Sequence, residues 1–271
     1  MTRNGRTAAT AATGMDGAGY QVSAAPSWFS GSRARTSCEL QVFCFAHAGG
    51  GGATYWPWRR ALAPAFEVCP VVLPGRESRS REPAFSRLEQ FLEPLCEALV
   101  ERIDRPFALF GHSLGTLLAY EAARRLTARA LPPLALVVSG RRGPWIDSTR
   151  RRFSGLADAD FLAAVTKLGG MPPEILGSSE LLAALLPTLR ADFEISENYH
   201  PQPGPALSCP IIAYTGADDP EVNRIELMGW EEETSGEFSV RVFSGSHFYL
   251  RGGRPDVLSA LRADLRRLLP G

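Results

Sequence analysis

Gly111-His112-Ser113-Leu114-Gly115 stands between the apolar run Phe107 to Phe110 and the helix-patterned stretch Thr116 to Leu126, and no other feature restricts the fold so strongly. A chain that leaves a buried strand and at once enters a helix must hold the residue at the turn in a strained backbone conformation, its side chain clear of the sheet. Glycine at both flanks removes side chains that would collide as strand and helix approach. This is the pattern of a nucleophile elbow, with Ser113 as the candidate nucleophile.

The 271 residues suit one large domain, or one domain with an insert, and suffice for a substantial core. Formal charge is zero and no block of five or six like charges occurs, which argues against nucleic acid or an anionic lipid surface as partner. Lys167 is the only lysine, so arginine carries the positive charge. No apolar stretch approaches the roughly 18 residues that span a bilayer, and a soluble, cytoplasmic, monomeric protein is expected. Residues 1–27, rich in Ala, Thr and Gly, lack the apolar centre of a secretory signal and read as a disordered leader. Cys38, Cys44, Cys69, Cys96 and Cys209 form no C-x-x-C pair and read as buried thiols in a reducing compartment.

Apolar runs recur at Leu40 to Ala46, Phe66 to Leu73, Phe107 to Phe110, Leu134 to Ser139, Ile211 to Thr215 and Phe238 to Phe243, as expected of fully buried parallel strands. Helical periodicity over Leu88 to Ile103 and Leu114 to Leu126 alternates with them, which predicts a doubly wound α/β sheet with its chemistry at the carboxyl edge. The alternation breaks between Ser139 and Ile211. There Asp158 to Leu168, with Asp158 as N-cap and Gly169-Gly170 as a stop, and Ser179 to Tyr199 have helical spacing around Met171-Pro172-Pro173. They predict an inserted helical lid over Ser113, with Leu181, Leu182, Leu185 and Leu186 lining a passage or packing a core. Pro255 to Leu269 reads as an amphipathic closing helix.

A serine nucleophile needs a base, and the base needs a group that fixes its tautomer. Of four histidines, His247 follows the last strand, where an α/β-hydrolase presents its base. His112 adjoins the nucleophile but leaves the elbow in another direction, His200 falls in the lid, and His47 falls in the loop after the first strand. The acid follows the strand ending at Thr215, where Asp218 and Asp219 compete; Asp219, set extended by Pro220, is favoured. The order Ser, Asp, His is that of α/β-hydrolases. Oxyanion donors are expected at the N–H of Leu114 and, in the glycine-rich loop His47 to Gly52, at the N–H of Ala48. No Gly-Lys-Ser/Thr follows that loop and no Gly-x-Gly-x-x-Gly opens a helix, so nucleotide binding is not expected, nor is any cofactor or metal.

Together, Phe45 to Gly50, Leu73 to Glu77, Gly111 to Gly115, Ser139 to Arg142, Leu186 to Asp192 and Gly245 to Leu250 give a chain that resembles the type II thioesterases of polyketide synthases and nonribosomal peptide synthetases, from about Trp28 to Leu265. The resemblance implies an α/β-hydrolase core (28–140 and 206–271) around a mobile helical lid (141–205). It also implies a triad of Ser113, Asp219 and His247, and an acyl or peptidyl carrier protein as the partner that brings the substrate on phosphopantetheine. Two positions depart from the family: Ala46 where proline is usual, and Thr116 where alanine commonly follows the elbow. From sequence, Thr116 is expected to narrow the acyl pocket or to donate near the oxyanion. The competing activities are a generic carboxylesterase, a product-releasing thioesterase and an acyl transferase; the competing non-enzyme is a docking protein of the same fold.

Overall fold

The computed structural model describes residues 27–31, 38–148, 150–171 and 173–269, and all but the last residue of the expected leader lies outside them. Six parallel strands form one sheet in the order β2-β1-β3-β4-β5-β6: β1 Leu40–Phe45, β2 Phe66–Pro70, β3 Phe107–His112, β4 Ala135–Ser139, β5 Ile211–Gly216 and β6 Phe238–Phe243. Between them run α1 Trp56–Leu62, α2 Leu92–Arg102, α3 Leu114–Ala128, α4 Asp158–Lys167, α5 Pro173–Leu176, α6 Ser179–Asn198 and α7 Arg224–Met228, and α8 Pro255–Arg266 closes the chain. No helix among the described residues is long and apolar enough to cross a membrane.

The unbroken apolar runs have a two-sided cause. Alternate residues of one strand enter two different cores: Phe43, Phe45, Leu109, Leu136 and Val138 face α2 and α3, while Val42, Cys44, Ala108, Phe110 and Val137 face α1 and α8. A strand buried on both faces reads as a nearly continuous apolar run, and its polar exceptions find partners, as Gln41 of β1 does in donating to Glu67 of β2 at 3.1 Å. β6 differs from the sequence expectation, and from the other edge strand β2, which is buried throughout. The residues of β6 are half-buried or exposed, with Val242 50% exposed. The five cysteines are buried and free.

The insertion between β4 and β5 is helical, and its small core of Phe161, Val165, Met171 and Leu189 is separate from the two that sandwich the sheet. Asp158 is not the N-cap of α4. Ala157 holds that position, and Asp158, in the first turn, takes two N–H bonds from Arg190 of α6 at 3.0 and 2.6 Å. An ion pair between two helices thus takes the carboxylate that a cap would have used. Pro187 lies inside α6; the residues before it are largely exposed, whereas Thr188, Leu189, Ala191 and Asp192 are buried.

Phe110 is fully buried, its ring 4.8 Å from that of Trp58. Phe110→Ala is expected to lower unfolding free energy in urea by ~3–5 kcal/mol, whereas Val242→Ala on the exposed edge should change it by no more than ~0.5 kcal/mol.

Candidate active site

Because every strand is parallel, the loops after β1, β3, β4, β5 and β6 all leave the same edge. Ser113 sits between the last residue of β3 and the first of α3 with φ 56° and ψ −115°, a backbone that non-glycine residues rarely adopt. One hydrogen bond and two close backbone approaches hold it. Its N–H donates to the Ser139 carbonyl at 2.8 Å. A Cβ on Gly111 would lie 2.2 Å from the Gly115 carbonyl oxygen, and one on Gly115 would lie 2.1 Å from that of Phe45. Those obstacles are backbone and cannot move aside, so any larger residue at either position would force β3, α3 and β1 apart.

Thr116 does not reach the pocket as the sequence suggested. Fully buried under the elbow, its hydroxyl lies 2.8 Å from the Gly111 carbonyl and 2.9 Å from the Ser139 carbonyl, and it accepts the Ser139 N–H at 3.1 Å. It fastens β3 to β4 directly beneath Ser113.

The loops after β5 and β6 are fastened to each other before either presents a side chain. Ala217 N–H donates to the Phe243 carbonyl at 2.7 Å and Asp218 N–H to the Gly245 carbonyl at 3.0 Å. A Cβ on Gly216 would meet the Gly245 and Ser246 carbonyl oxygens at 2.4 Å. This brings the Asp219 carboxylate to Nδ1 of His247, at 3.0 Å from Oδ1 and 2.9 Å from Oδ2, with both side chains almost wholly buried. Glu221 N–H donates to the same carboxylate at 2.8 Å. An ionised carboxylate only accepts, so the proton of a neutral His247 resides on Nδ1 and Nε2 keeps its lone pair. Asp218 is exposed and turns only its backbone to this junction.

Ser113 and His247 line one cavity of about 500 Å³ together with Ala48 and Gly140. Much of its lining is apolar: Val165, Met171, Ile175, Leu185, Leu189 and Phe248. Of the leucine stripe on α6, Leu185 faces this cavity, Leu182 and Leu186 pack in the small helical core, and Leu181 is exposed. Leu114 opens α3, so its N–H has no partner within the helix.

The remaining histidines are accounted for. His112 is buried, with Nδ1 2.9 Å from Ser139 Oγ, which also meets the Tyr249 hydroxyl at 2.5 Å. Burial, then the neighbouring His247 and His47, drives the proton affinity of its ring well down. His47 packs its ring 4.9 Å from that of Phe248, and burial above all lowers its pKa to about 3. His200 is exposed and contacts the Asn198 carbonyl through Nδ1.

One functional cluster escaped the reading of single motifs. Asp192 of α6, 1% exposed, grips Arg76 in a bidentate pair at 2.8 and 2.7 Å and accepts the Gly49 N–H at 2.7 Å. Arg76 in turn donates to the Gly50 carbonyl at 2.9 Å, and Leu189 occupies the place where a Gly49 Cβ would be. The loop that carries Ala48 is therefore held from above by the inserted helix. Both residues lie in segments that carry the family resemblance, Leu73 to Glu77 and Leu186 to Asp192, but only the fold shows that these segments meet.

A family model described as thioesterase domain matches residues 40–265. The chain is 34% identical to the gramicidin S biosynthesis protein GrsT of Aneurinibacillus migulanus, over 92% of this chain and 97% of that one. It is 37% identical to thioesterase PikA5 of Streptomyces venezuelae, over 78% and 75%. Among solved structures, the type II thioesterase BorB from the borrelidin biosynthetic cluster superimposes with a TM-score of 0.81 at 37% identity, covering 88% of this chain and 98% of that one.

Two expectations follow from the site. Asp192→Asn keeps the shape but weakens the grip on Arg76 and Gly49; it should lower kcat about tenfold or more with little change in KM, measured in steady state. The histidine imprint on stability has a definite sign. A folded pKa lowered from 6.5 to about 3 means that His47 stabilises the fold above pH 6.5, and that this contribution is lost progressively as pH falls through the window down to about 3. Urea midpoints of His47→Gln should therefore fall less steeply over that window than those of the wild type.

Proposed function

Since this chain belongs to the thioesterase family, we propose that it hydrolyses acyl groups from the phosphopantetheine thioesters of acyl or peptidyl carrier proteins, removing stalled or aberrant chains during polyketide or nonribosomal peptide assembly. The observation that carries this reading is the His247–Asp219 hydrogen bond in the wall of the cavity that Ser113 lines.

In the proposed mechanism Ser113 Oγ attacks the thioester carbonyl while His247 Nε2 takes its proton. Asp219 holds the ring in the Nδ1–H tautomer and stabilises the imidazolium that forms. The N–H groups of Leu114 and Ala48 receive the developing oxyanion, each donor being worth ~2.7–4 kcal/mol in reactions of this kind. The tetrahedral intermediate collapses with loss of the pantetheine sulfur, which takes the proton from His247. A water deprotonated by His247 then attacks the acyl-serine, and its collapse returns Ser113 and releases the acid. The apolar wall accepts the acyl chain, but such a pocket separates chains that differ by one methylene by only ~1–3 kcal/mol. Discrimination between stalled and productive carriers therefore draws on residence time and on access beneath the cover formed by 141–205, acting on a core of 28–140 and 206–271.

Ser113→Ala should abolish release from an acyl-loaded carrier protein. Asp219→Asn should reduce it by about 10³–10⁴, while Asp218→Asn stays near wild type. Wild-type turnover in Asp219→Asn beside a dead Asp218→Asn would reassign the acid. Equal rates on a carrier thioester and its matched oxygen ester would replace the thioesterase reading with that of a general esterase.

A further inference from the structure

A second cavity, of about 510 Å³, adjoins the one lined by Ser113. Arg141, Arg142, Phe193, Ser196 and Glu221 belong to both walls, so the two spaces meet there. Its lining is unlike that of the acyl chamber: Arg141, Arg142, Arg150, Arg151 and Arg152 stand against Asp147, Glu197 and Glu221. Two of the arginines are spoken for. Arg150 pairs with both oxygens of Glu226 at 3.0 and 3.1 Å, and Arg152 faces Glu197 at 3.7 Å.

The others form no ion pair, although Glu226, Glu221 and Asp147 lie near enough to Arg142 to favour its charge. Arg141 donates to the hydroxyl and the carbonyl of Ser196 at 2.9 and 3.1 Å, and Arg142 donates to the Ile146 carbonyl at 2.8 Å, all uncharged acceptors. Among the described residues no carboxylate lies in ion-pair range of Arg141, Arg142 or Arg151. Burial, and then the charge of Arg142, lowers the pKa of Arg141 to about 10. The half-buried Arg141 guanidinium, beside a second one and with no carboxylate in contact, is costly to keep unless an anion arrives from outside.

We propose that the groove beside the acyl chamber is the seat of the pantetheine arm, and that Arg141, Arg142 and Arg151 hold the phosphate at its far end. The inference rests on the thioesterase reading above. The chemistry of the two spaces sets the direction: the apolar wall suits the acyl chain, pantetheine itself is uncharged, and the phosphate is the one anion that every such arm carries. Guanidinium forks match phosphate oxygens in geometry and charge. A carboxylate on the acyl chain is the rival anion, and it would have to reach back past the reacting carbonyl.

The test uses two thioesters of the same acyl group, one on phosphopantetheine and one on pantetheine, which differ only in the phosphate. For the wild type, kcat/KM should favour the phosphorylated compound by about tenfold or more, through KM, with the advantage shrinking as salt rises. Arg142→Gln/Arg151→Gln, which spares the Arg141–Ser196 contacts, should erase most of that advantage; Arg151→Gln alone, at a residue that lines only the second cavity, should erase part of it while leaving turnover of the pantetheine thioester intact. Equal kcat/KM for the two compounds in the wild type overturns the proposal, as does an advantage undiminished in the double variant. So does a wild-type preference for malonyl-pantetheine over propionyl-pantetheine that the double variant loses, which would give the arginines to an acyl carboxylate. Failure of the wild type to hydrolyse either compound removes the thioesterase reading instead.

Discussion

Two missing methyl groups set the geometry from which the rest of this molecule's chemistry follows. With Cβ atoms at 111 and 115, β3 could not hand over to α3 within a single residue, because each would press on a backbone carbonyl at little over 2 Å. Without them the serine between is forced to φ 56°, and the surrounding structure must keep it there. The means are visible below the turn: a backbone bond from Ser113 to Ser139, and a threonine hydroxyl that ties the same carbonyl to the end of β3. Thr116 thus acts as a rivet between strands.

The same economy recurs at the other end of the sheet. β5 and β6 place their following loops so close that the carbonyls of one occupy the space a side chain at Gly216 would need. An imidazole and a carboxylate that belong to different loops are consequently set within 3.0 Å of each other by backbone contacts, before their own hydrogen bond is counted. Such a pair is preorganised, which is what the proposed triad requires.

The legible part of the fold was whatever recurs along the chain. Six buried runs and the long helices stood out because two-sided burial writes continuous apolar segments and one-sided burial writes helical spacing. β6 was misjudged because its residues resemble those of the buried strands, and only the packing over its faces tells them apart: the other edge strand, β2, is buried throughout. Short elements such as α1 and α7 left no period to read. At the site, the sequence could single out Ser113, Asp219 and His247 as candidates because each follows a strand, and the structure sets His247 against Asp219 beside the cavity that Ser113 lines. The Arg76–Asp192 pair was not, since its two halves are distant in sequence and the contact depends on where α6 crosses the loop after β1. The role of Thr116 was missed for a related reason, since pocket and foundation are indistinguishable one residue away from a turn.

Pro187 deprives α6 of one backbone rung and divides it into portions with unequal attachments. On the carboxyl side, Thr188 bonds the Gly75 carbonyl and Asp192 clasps Arg76 and Gly49, so this half moves only at the expense of buried polar contacts. On the amino side the stretch is largely solvated, and its apolar contacts are with the other inserted segments. A bend at the proline would tilt the roof while the loop that carries Ala48 stayed in place, so that, if that loop is the oxyanion floor proposed above, the breadth of what is admitted could change without weakening the hold on developing charge.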